Sequence, residues 1–125
     1  MLRRLHIIAP LVLVTGCAAF AIPNLYTALQ RAKQKRSMSA LRDLGVAIDN
    51  YAAKHGTFPP AGDYGRAVDG WNHPILYHAS AKHYVLRSTG RDGKNDGFFD
   101  GATTSFDDDI VFGDEVFRRF PSGVL

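Results

Sequence analysis

The chain has 125 residues, a formal net charge of +3 and 46% hydrophobic residues, which fits one small domain. Its single cysteine, Cys17, excludes an internal disulfide bond. The basic residues flank an apolar N-terminal segment, and no basic stretch is interleaved with aromatic residues, so the charge favours a membrane surface over nucleic acid as a partner.

The first predicted element is an apolar segment, residues 5–22, in which only His6 and Thr15 are polar. Its inner run, residues 7–22, is slightly shorter than the ~20 residues that span a bilayer, and its flanks bring it to that length. Three interpretations remain open: a membrane helix, a cleaved secretory signal, and a lipoprotein signal, since Val-Thr-Gly precedes Cys17. Cys17 is then either lipid-modified or a small apolar residue of a membrane helix.

Beyond the apolar segment the sequence predicts a helix that ends near Gly56. Pro23 should kink or locally break this helix, because proline lacks the amide hydrogen and clashes with the preceding turn. Apolar residues then recur at spacings of three, four and three, which is typical of one buried helix face. The members of this stripe are Leu41, Leu44, Ile48 and Tyr51.

The remainder of the chain predicts a loop over residues 57–69 and then three strands. The strands are expected at residues 74–79, 83–88 and 110–112. Residues 80–82 form the turn of a hairpin, and residues 114–120 are expected to form a short helical turn. Three antiparallel strands can lay one face on the helix stripe. The predicted fold is therefore α+β, with a long N-terminal helix on a small three-stranded antiparallel sheet.

The side chains best suited to bind a metal ion lie between the second and third predicted strands. Its aspartates include Asp92, Asp96, Asp107, Asp108 and Asp109. Calcium prefers hard oxygen ligands in a flexible loop, and consecutive carboxylates that face inward repel one another without a cation. The alternative is a solvated acidic loop. An EF-hand is excluded, because a loop that starts at Asp92 places Lys94 at its third position and Thr103 at its twelfth, where the motif requires glutamate.

The sequence shows no catalytic constellation. His55, His73, His78 and His83 lack the helical pairing with glutamate that marks zinc proteases. The Gly-x-Ser-x-Gly motif and the phosphate-binding Gly-x-x-x-x-Gly-Lys motif are both absent. We therefore expect a protein that is not an enzyme and has no small-molecule substrate.

Several motifs, taken in chain order, resemble those of type IV pilin-like proteins. Residues 21–25 read Ala-Ile-Pro-Asn-Leu, a basic helix follows, and residues 55–59 read His-Gly-Thr-Phe-Pro. Residues 69–74, Asp-Gly-Trp-Asn-His-Pro, are similar to the family's Asp-Pro-Trp-Gly-Asn-Pro turn. Residues 84–93, followed by Asp-Asp-Ile at residues 108–110, are similar to the C-terminal loop of the major pseudopilin of type II secretion systems.

This resemblance implies a long helix on a small antiparallel sheet, with a structural calcium ion in the C-terminal loop. By position, the implied ligands are carboxylates of Asp92, Asp108 and Asp109, backbone carbonyls near Thr89 and Lys94, and Asp96 and Asp107 as substitutes. The family's subunits wait in the inner membrane and then stack through their apolar helices. The resulting short periplasmic filament helps to move folded cargo through an outer-membrane channel.

The start of the chain differs from the family pattern. Counting back from Pro23, His6 lies near the position of the family's glutamate, and Met1 lies near that of the glycine at its peptidase cleavage site. Two expectations follow. In the first, residues 1–25 anchor a pseudopilin-like subunit whose periplasmic head is residues 26–125. In the second, a lipidated cysteine anchors a periplasmic lipoprotein that keeps this head without polymerising.

Overall fold

The computed structural model describes residues 2–61 and 66–123, with side chains described from residue 23 onward. Within these residues the elements are one helix and five strands. They are α1 (Leu2–His55), β1 (Leu76–Ala79), β2 (Tyr84–Ser88), β3 (Gly101–Thr103), β4 (Ile110–Gly113) and β5 (Val116–Pro121). The chain divides into two compact units, Met1–Arg31 and Ala32–Leu125.

The first unit contains the beginning of α1. The apolar segment of the predicted anchor, residues 5–22, and the predicted lipidation site Cys17 lie outside the residues whose side chains are described. The helix continues through Pro23 without interruption, so the local break considered there does not occur. In the part of the chain that the structure describes, no helix is long and apolar enough to cross a membrane.

In the second unit, the predicted apolar stripe of α1 contributes to the core. Leu41 and Ile48 are fully buried and Leu44 is nearly so, whereas Tyr51 is half-buried at the end of the stripe. The helix ends as predicted, and Gly56 follows it with a φ of 75°. This left-handed conformation suits glycine, which has no side chain to clash with the last turn.

The sheet has five strands in the order β1-β2-β4-β5-β3. It is mixed, because β3 runs parallel to β5 while the other neighbouring strands are antiparallel. The α+β class and the three predicted strands are confirmed, but the prediction of a three-stranded antiparallel sheet is wrong. The three residues of β3 are too few to show a periodic pattern in the sequence.

The fifth strand lies where the sequence predicted a short helical turn. Gly113 pairs with Val116, so Asp114 and Glu115 form a two-residue hairpin loop between β4 and β5. Both loop residues have a positive φ, 52° and 72°. Hairpin loops of this geometry usually contain Asn-Gly or Asp-Gly. The Asp-Glu pair carries no such signal, which is why the turn was missed.

The sheet presents two faces, because side chains alternate along each strand and paired residues share a face. Leu86 pairs with Phe112 and contributes with it to the core that contains the helix stripe. Arg87 pairs with Val111 on the opposite face. Val111 is fully buried but does not belong to that core. A second layer therefore covers the far face of the sheet.

A bulge in β5 brings Arg119 to the far face. Phe117 pairs with Phe112 and Arg119 pairs with Val111, so Arg118 is an extra residue between two consecutive pairs. Without the bulge, Phe117 and Arg119 would point to the same face, because they are two residues apart. The irregularity therefore separates a core phenylalanine from a buried arginine.

Candidate functional site

The candidate site lies on the far face of the sheet, under residues 89–109, a loop that contains the short strand β3. We call it the arginine–carboxylate cluster, and it consists of Arg87, Arg119, Asp96 and Asp109. Strands β2 and β5 supply the two arginines, whose side chains are only 5% and 8% exposed. The loop supplies the two aspartates. The cluster therefore joins residues that are far apart in the sequence.

Asp109 is the buried centre of this cluster. Its Oδ2 accepts hydrogen bonds from Arg87 Nη1 at 2.8 Å and from the backbone amide of Asp96 at 3.1 Å. Arg119 Nη1 donates to the backbone carbonyl of Asp109 at 3.2 Å. The second carboxylate oxygen, Oδ1, is buried and has no hydrogen-bond partner among the described residues. Asp109 is thus held by both arginines, with one oxygen unsatisfied.

Asp96 completes the cluster from the other end of the loop. Its carboxylate accepts hydrogen bonds from the backbone amides of Asp109 and Phe98, both at 3.0 Å. Arg119 Nη1 also donates to Oδ2, and Arg87 Nη1 lies 3.5 Å from Oδ1. Asp96 therefore acts both as an ion-pair partner and as a cap for two backbone amides.

The pKa values of the two aspartates are shifted in opposite directions. Burial raises the pKa of Asp109, and the hydrogen bond from Arg87 opposes this effect only in part. Burial also acts on Asp96, but the amide of Asp109 and the guanidinium of Arg119 outweigh it and lower the pKa of Asp96. As the pH falls, Asp109 therefore takes up a proton before Asp96 does.

Asp107, another predicted ligand, forms a separate ion pair with Arg91. The Nε and Nη2 atoms of Arg91 donate to the two carboxylate oxygens at 2.8 and 2.9 Å. This two-pronged contact lowers the pKa of Asp107. Both side chains are more than a third exposed, so the pair adds little to the stability of the fold.

Asp108 shapes the turn that precedes β4. Its Oδ2 accepts hydrogen bonds from the backbone amides of Thr104 and Ser105 at 2.8 and 3.1 Å. Arg119 Nη2 lies 3.9 Å from the same oxygen. Asp108 thus borders the arginine–carboxylate cluster, but most of its contacts are with the backbone of its own turn.

Asp92 and Lys94 lie on an exposed turn of the loop. The carboxylate of Asp92 accepts a hydrogen bond from the backbone amide of Lys94 at 3.0 Å, which closes the turn. The predicted ligand set is therefore divided among several local arrangements. Among the described residues, no group of three or more histidine, cysteine, aspartate or glutamate residues is arranged to hold a metal ion.

A calcium ion at the cluster would have to share its carboxylates with arginine. Calcium binds oxygen at about 2.3–2.6 Å, so an ion on Asp109 Oδ1 would lie close to two guanidinium groups that contact the same residue at 2.8 and 3.2 Å. A calcium ion and neighbouring guanidinium groups carry charge of the same sign and repel one another in a protein interior. Calcium binding by this loop stays a prediction, and the arrangement of the cluster does not favour it.

Two aromatic side chains cover the arginines from outside. The guanidinium carbon of Arg87 lies 4.7 Å from the ring centre of Phe99, and that of Arg119 lies 5.1 Å from the ring centre of Phe98. Such cation–π contacts add to the ion pairs below them. Sequence reasoning assigned no role to these four residues. The available signal was an arginine at position 87, directly after the apolar residues Val85 and Leu86 of a predicted strand.

The turn at residues 69–74 connects this loop with the sheet. Asp69 is buried, and its Oδ1 accepts hydrogen bonds from the amides of Trp71 and His73 at 2.9 and 3.0 Å. Its Oδ2 accepts a hydrogen bond from Ser88 Oγ at 2.8 Å. The ring of His73 in turn lies 3.2 Å from the backbone carbonyl of Arg91. The sequence motif at residues 69–74 therefore has a structural role in this fold.

A hydrogen bond also joins this turn to α1. The amide of Gly70 donates to Ser37 Oγ at 2.9 Å, and Ser37 Oγ donates to the carbonyl of Lys33 at 3.0 Å. A Cβ atom at position 70 would lie 2.0 Å from that carbonyl oxygen. Only glycine can therefore approach the helix so closely.

The carboxylates of this loop have two structural roles. They accept hydrogen bonds from backbone amides, and they form ion pairs with arginines. The pairing neutralises charge inside the protein and positions the loop over the sheet. No protein-family model, curated protein or solved structure matches this chain.

Proposed function

We propose that the chain is a pilin-like structural subunit, related in role to the pseudopilins of type II secretion. In this proposal it assembles with copies of itself and with similar subunits at the inner membrane, and its head lies in the periplasm. Its role is mechanical rather than catalytic, and it binds neither nucleic acid nor a small-molecule substrate.

The length of α1 carries this proposal. The helix spans 54 residues and begins at Leu2, whereas the second compact unit begins only at Ala32. Helices in globular domains are much shorter on average, at about 11–12 residues. An extra helical segment of this kind is suited to contacts outside the domain, with lipid or with the same segment of other subunits.

Exposed leucines on this segment support the same role. Leu25 and Leu29 are four residues apart, so they lie on one face of the helix, and they are 60% and 49% exposed. They directly follow the apolar sequence of residues 5–22. Large exposed apolar side chains that continue an apolar segment favour burial against a lipid or protein partner.

Copy-to-copy crosslinking tests the proposal. A photo-reactive amino acid is placed at residue 28 of the full chain in bacterial membranes, and the crosslinked species are separated by size. We expect a ladder of multimers that disappears in the double variant Leu25→Asp and Leu29→Asp. Asn24→Asp adds a carboxylate to the neighbouring exposed position and serves as the control, which should keep the ladder. A wild-type chain that gives no multimers would refute the proposal.

A second candidate role follows from the Val-Thr-Gly that precedes Cys17. In this alternative the chain is a periplasmic lipoprotein that is anchored by a lipid on Cys17 and does not polymerise. Mass spectrometry of the mature N-terminus separates the two roles. The lipoprotein predicts a lipid-modified Cys17 at the first position and release from the membrane in Cys17→Ser. The filament subunit predicts that Cys17→Ser leaves the protein in the membrane fraction.

A further inference from the structure

We propose that Arg87 and Arg119 supply, as built-in side chains, the positive charge that orders the loop of residues 89–109, so that this loop folds without calcium. The inference rests on the geometry of the arginine–carboxylate cluster and is independent of the proposed filament.

The first step concerns charge. Three consecutive aspartates and Asp96 lie in the loop, and buried carboxylates of one sign need a compensating cation. Each of these four aspartates lies within 4 Å of an arginine side chain. The closest pairs are Arg87 with Asp109, Arg119 with Asp96, and Arg91 with Asp107. These guanidinium groups offset the repulsion among the carboxylates, which is the effect that a bound metal ion would have.

The second step concerns geometry. Arg87 Nη1 donates to the carboxylate of Asp109 at 2.8 Å and to the backbone carbonyl of Phe98 at 2.9 Å. Arg119 Nη1 donates to the carboxylate of Asp96 and to the backbone carbonyl of Asp109 at 3.2 Å. Carboxylates and backbone carbonyls are the oxygens that calcium binds in loops. Each arginine thus joins the two kinds of group that a calcium ion would join.

The third step concerns what remains if one arginine is removed. Asp109 Oδ1 is buried and has no hydrogen-bond partner in the described part of the chain. Without Arg119, the carboxylates of Asp109 and Asp96 would share one guanidinium group, that of Arg87. Such a site has excess negative charge and a free oxygen ligand, so a divalent cation becomes favourable there. Loss of the arginine should therefore create a calcium dependence that the natural chain lacks.

Thermal melting of the full chain in detergent micelles tests the inference, with circular dichroism as the signal and excess calcium or excess EGTA in the buffer. We expect the wild-type Tm to be the same in both buffers to within about 1 °C. Arg119→Gln should lower the Tm in EGTA by about 10 °C, because it removes the buried guanidinium group that pairs with Asp96. Calcium should recover part of that loss.

The matched control is Arg118→Gln on the same strand. The side chain of Arg118 is 44% exposed and lies 3.7 Å from its partner Asp114. Its replacement should lower the Tm by about 2 °C or less, with no response to calcium. This control separates the effect of the buried position from the loss of any arginine on β5.

Two results would overturn the inference. One is a wild-type Tm that rises in calcium and falls in EGTA, which would establish the loop as a calcium site. The other is an Arg119→Gln variant that melts like the wild type. Should Arg119→Gln fail to fold, the double variant Asp96→Asn with Arg119→Gln removes both charges together. It should fold, with a Tm that does not respond to calcium, and a calcium response or a second failure to fold would count against the inference.

Discussion

Asp96 and Asp109 each accept a hydrogen bond from the backbone amide of the other, at 3.1 Å from the amide of Asp96 and 3.0 Å from that of Asp109. This reciprocal contact joins two points of the loop that are 13 residues apart. It holds both carboxylates beside Arg87 and Arg119. The loop is therefore closed by backbone capping and ion pairing at the same place, and each interaction positions the groups that make the other.

The charge of Asp96 should stabilise the fold. We expect Asp96→Asn to lower the free energy of unfolding at pH 7 by about 2 kcal/mol. The neutral side chain of asparagine cannot form the charge-assisted hydrogen bond that the carboxylate of Asp96 forms with the buried Arg119. Chemical denaturation measures the loss. The matched control is Asp100→Asn in the same loop, which is exposed and should change stability by less than about 0.5 kcal/mol.

The same substitution has a defined pH dependence. The folded-state pKa of Asp96 is lowered from its ordinary value of 3.8, so its stabilising effect is present above pH 3.8 and is lost as the pH falls through the folded pKa. The wild type and Asp96→Asn should therefore converge in stability in acid. A difference that stays constant from pH 7 to strongly acidic pH would show that the charge is not its source.

The charge of Asp49 on α1 should destabilise the fold, in contrast to the charge of Asp96. Burial, followed by the nearby charge of Glu115, raises the pKa of Asp49 from its ordinary value of 3.8. The ionised form is therefore disfavoured in the folded state, and this penalty disappears as the pH falls through the raised pKa. Asp49→Asn should raise the Tm at pH 7, with a gain that vanishes in acid. Asp43→Asn, at an exposed position of the same helix, is the control and should leave the Tm unchanged at both pH values.

Gly70 should not tolerate a side chain. A Cβ atom there would lie 2.0 Å from the carbonyl oxygen of Lys33, so Gly70→Ala forces the turn away from the helix and should cost about 3 kcal/mol or more. Gly97→Ala is the control for loss of a glycine. Gly97 has a φ of 78° with no atom within 4 Å of the added Cβ, so only backbone strain of about 1–2 kcal/mol is expected. Equal losses in the two variants would contradict the close contact at Lys33.

The hydroxyl of Ser88 should stabilise the turn at residues 69–74 through Asp69. Ser88 is fully buried and donates to the carboxylate of Asp69 at 2.8 Å. Ser88→Ala leaves this buried oxygen without the hydroxyl and should cost about 2 kcal/mol. Ser80→Ala removes an exposed hydroxyl that contacts the backbone of His83 at 3.2 and 3.3 Å; it is the comparison and should cost less than Ser88→Ala, because water can replace these contacts. Urea denaturation of both variants decides the question, and similar midpoints would exclude the proposed role of Ser88.

Local patterns were enough to predict the helix, its buried stripe and three of the strands. The spacing of Leu41, Leu44 and Ile48 follows helical geometry, which depends only on nearby residues. The hairpin after Gly113 escaped prediction because its loop, Asp114 and Glu115, adopts a left-handed conformation without glycine. The bulge at Arg118 escaped too, because a bulge depends on how two strands pair rather than on either strand alone.

The sequence by itself determined the α+β class, the end of the helix at His55 and the concentration of carboxylates in one loop. Only the tertiary structure decided which cations those carboxylates meet. Arg87 and Arg119 lie 22 residues before and 10 residues after Asp109 in the chain, and strand pairing together with the bulge brings both to the same face of the sheet. Charge compensation inside a protein depends on distances in space, which residue spacing along the chain does not specify.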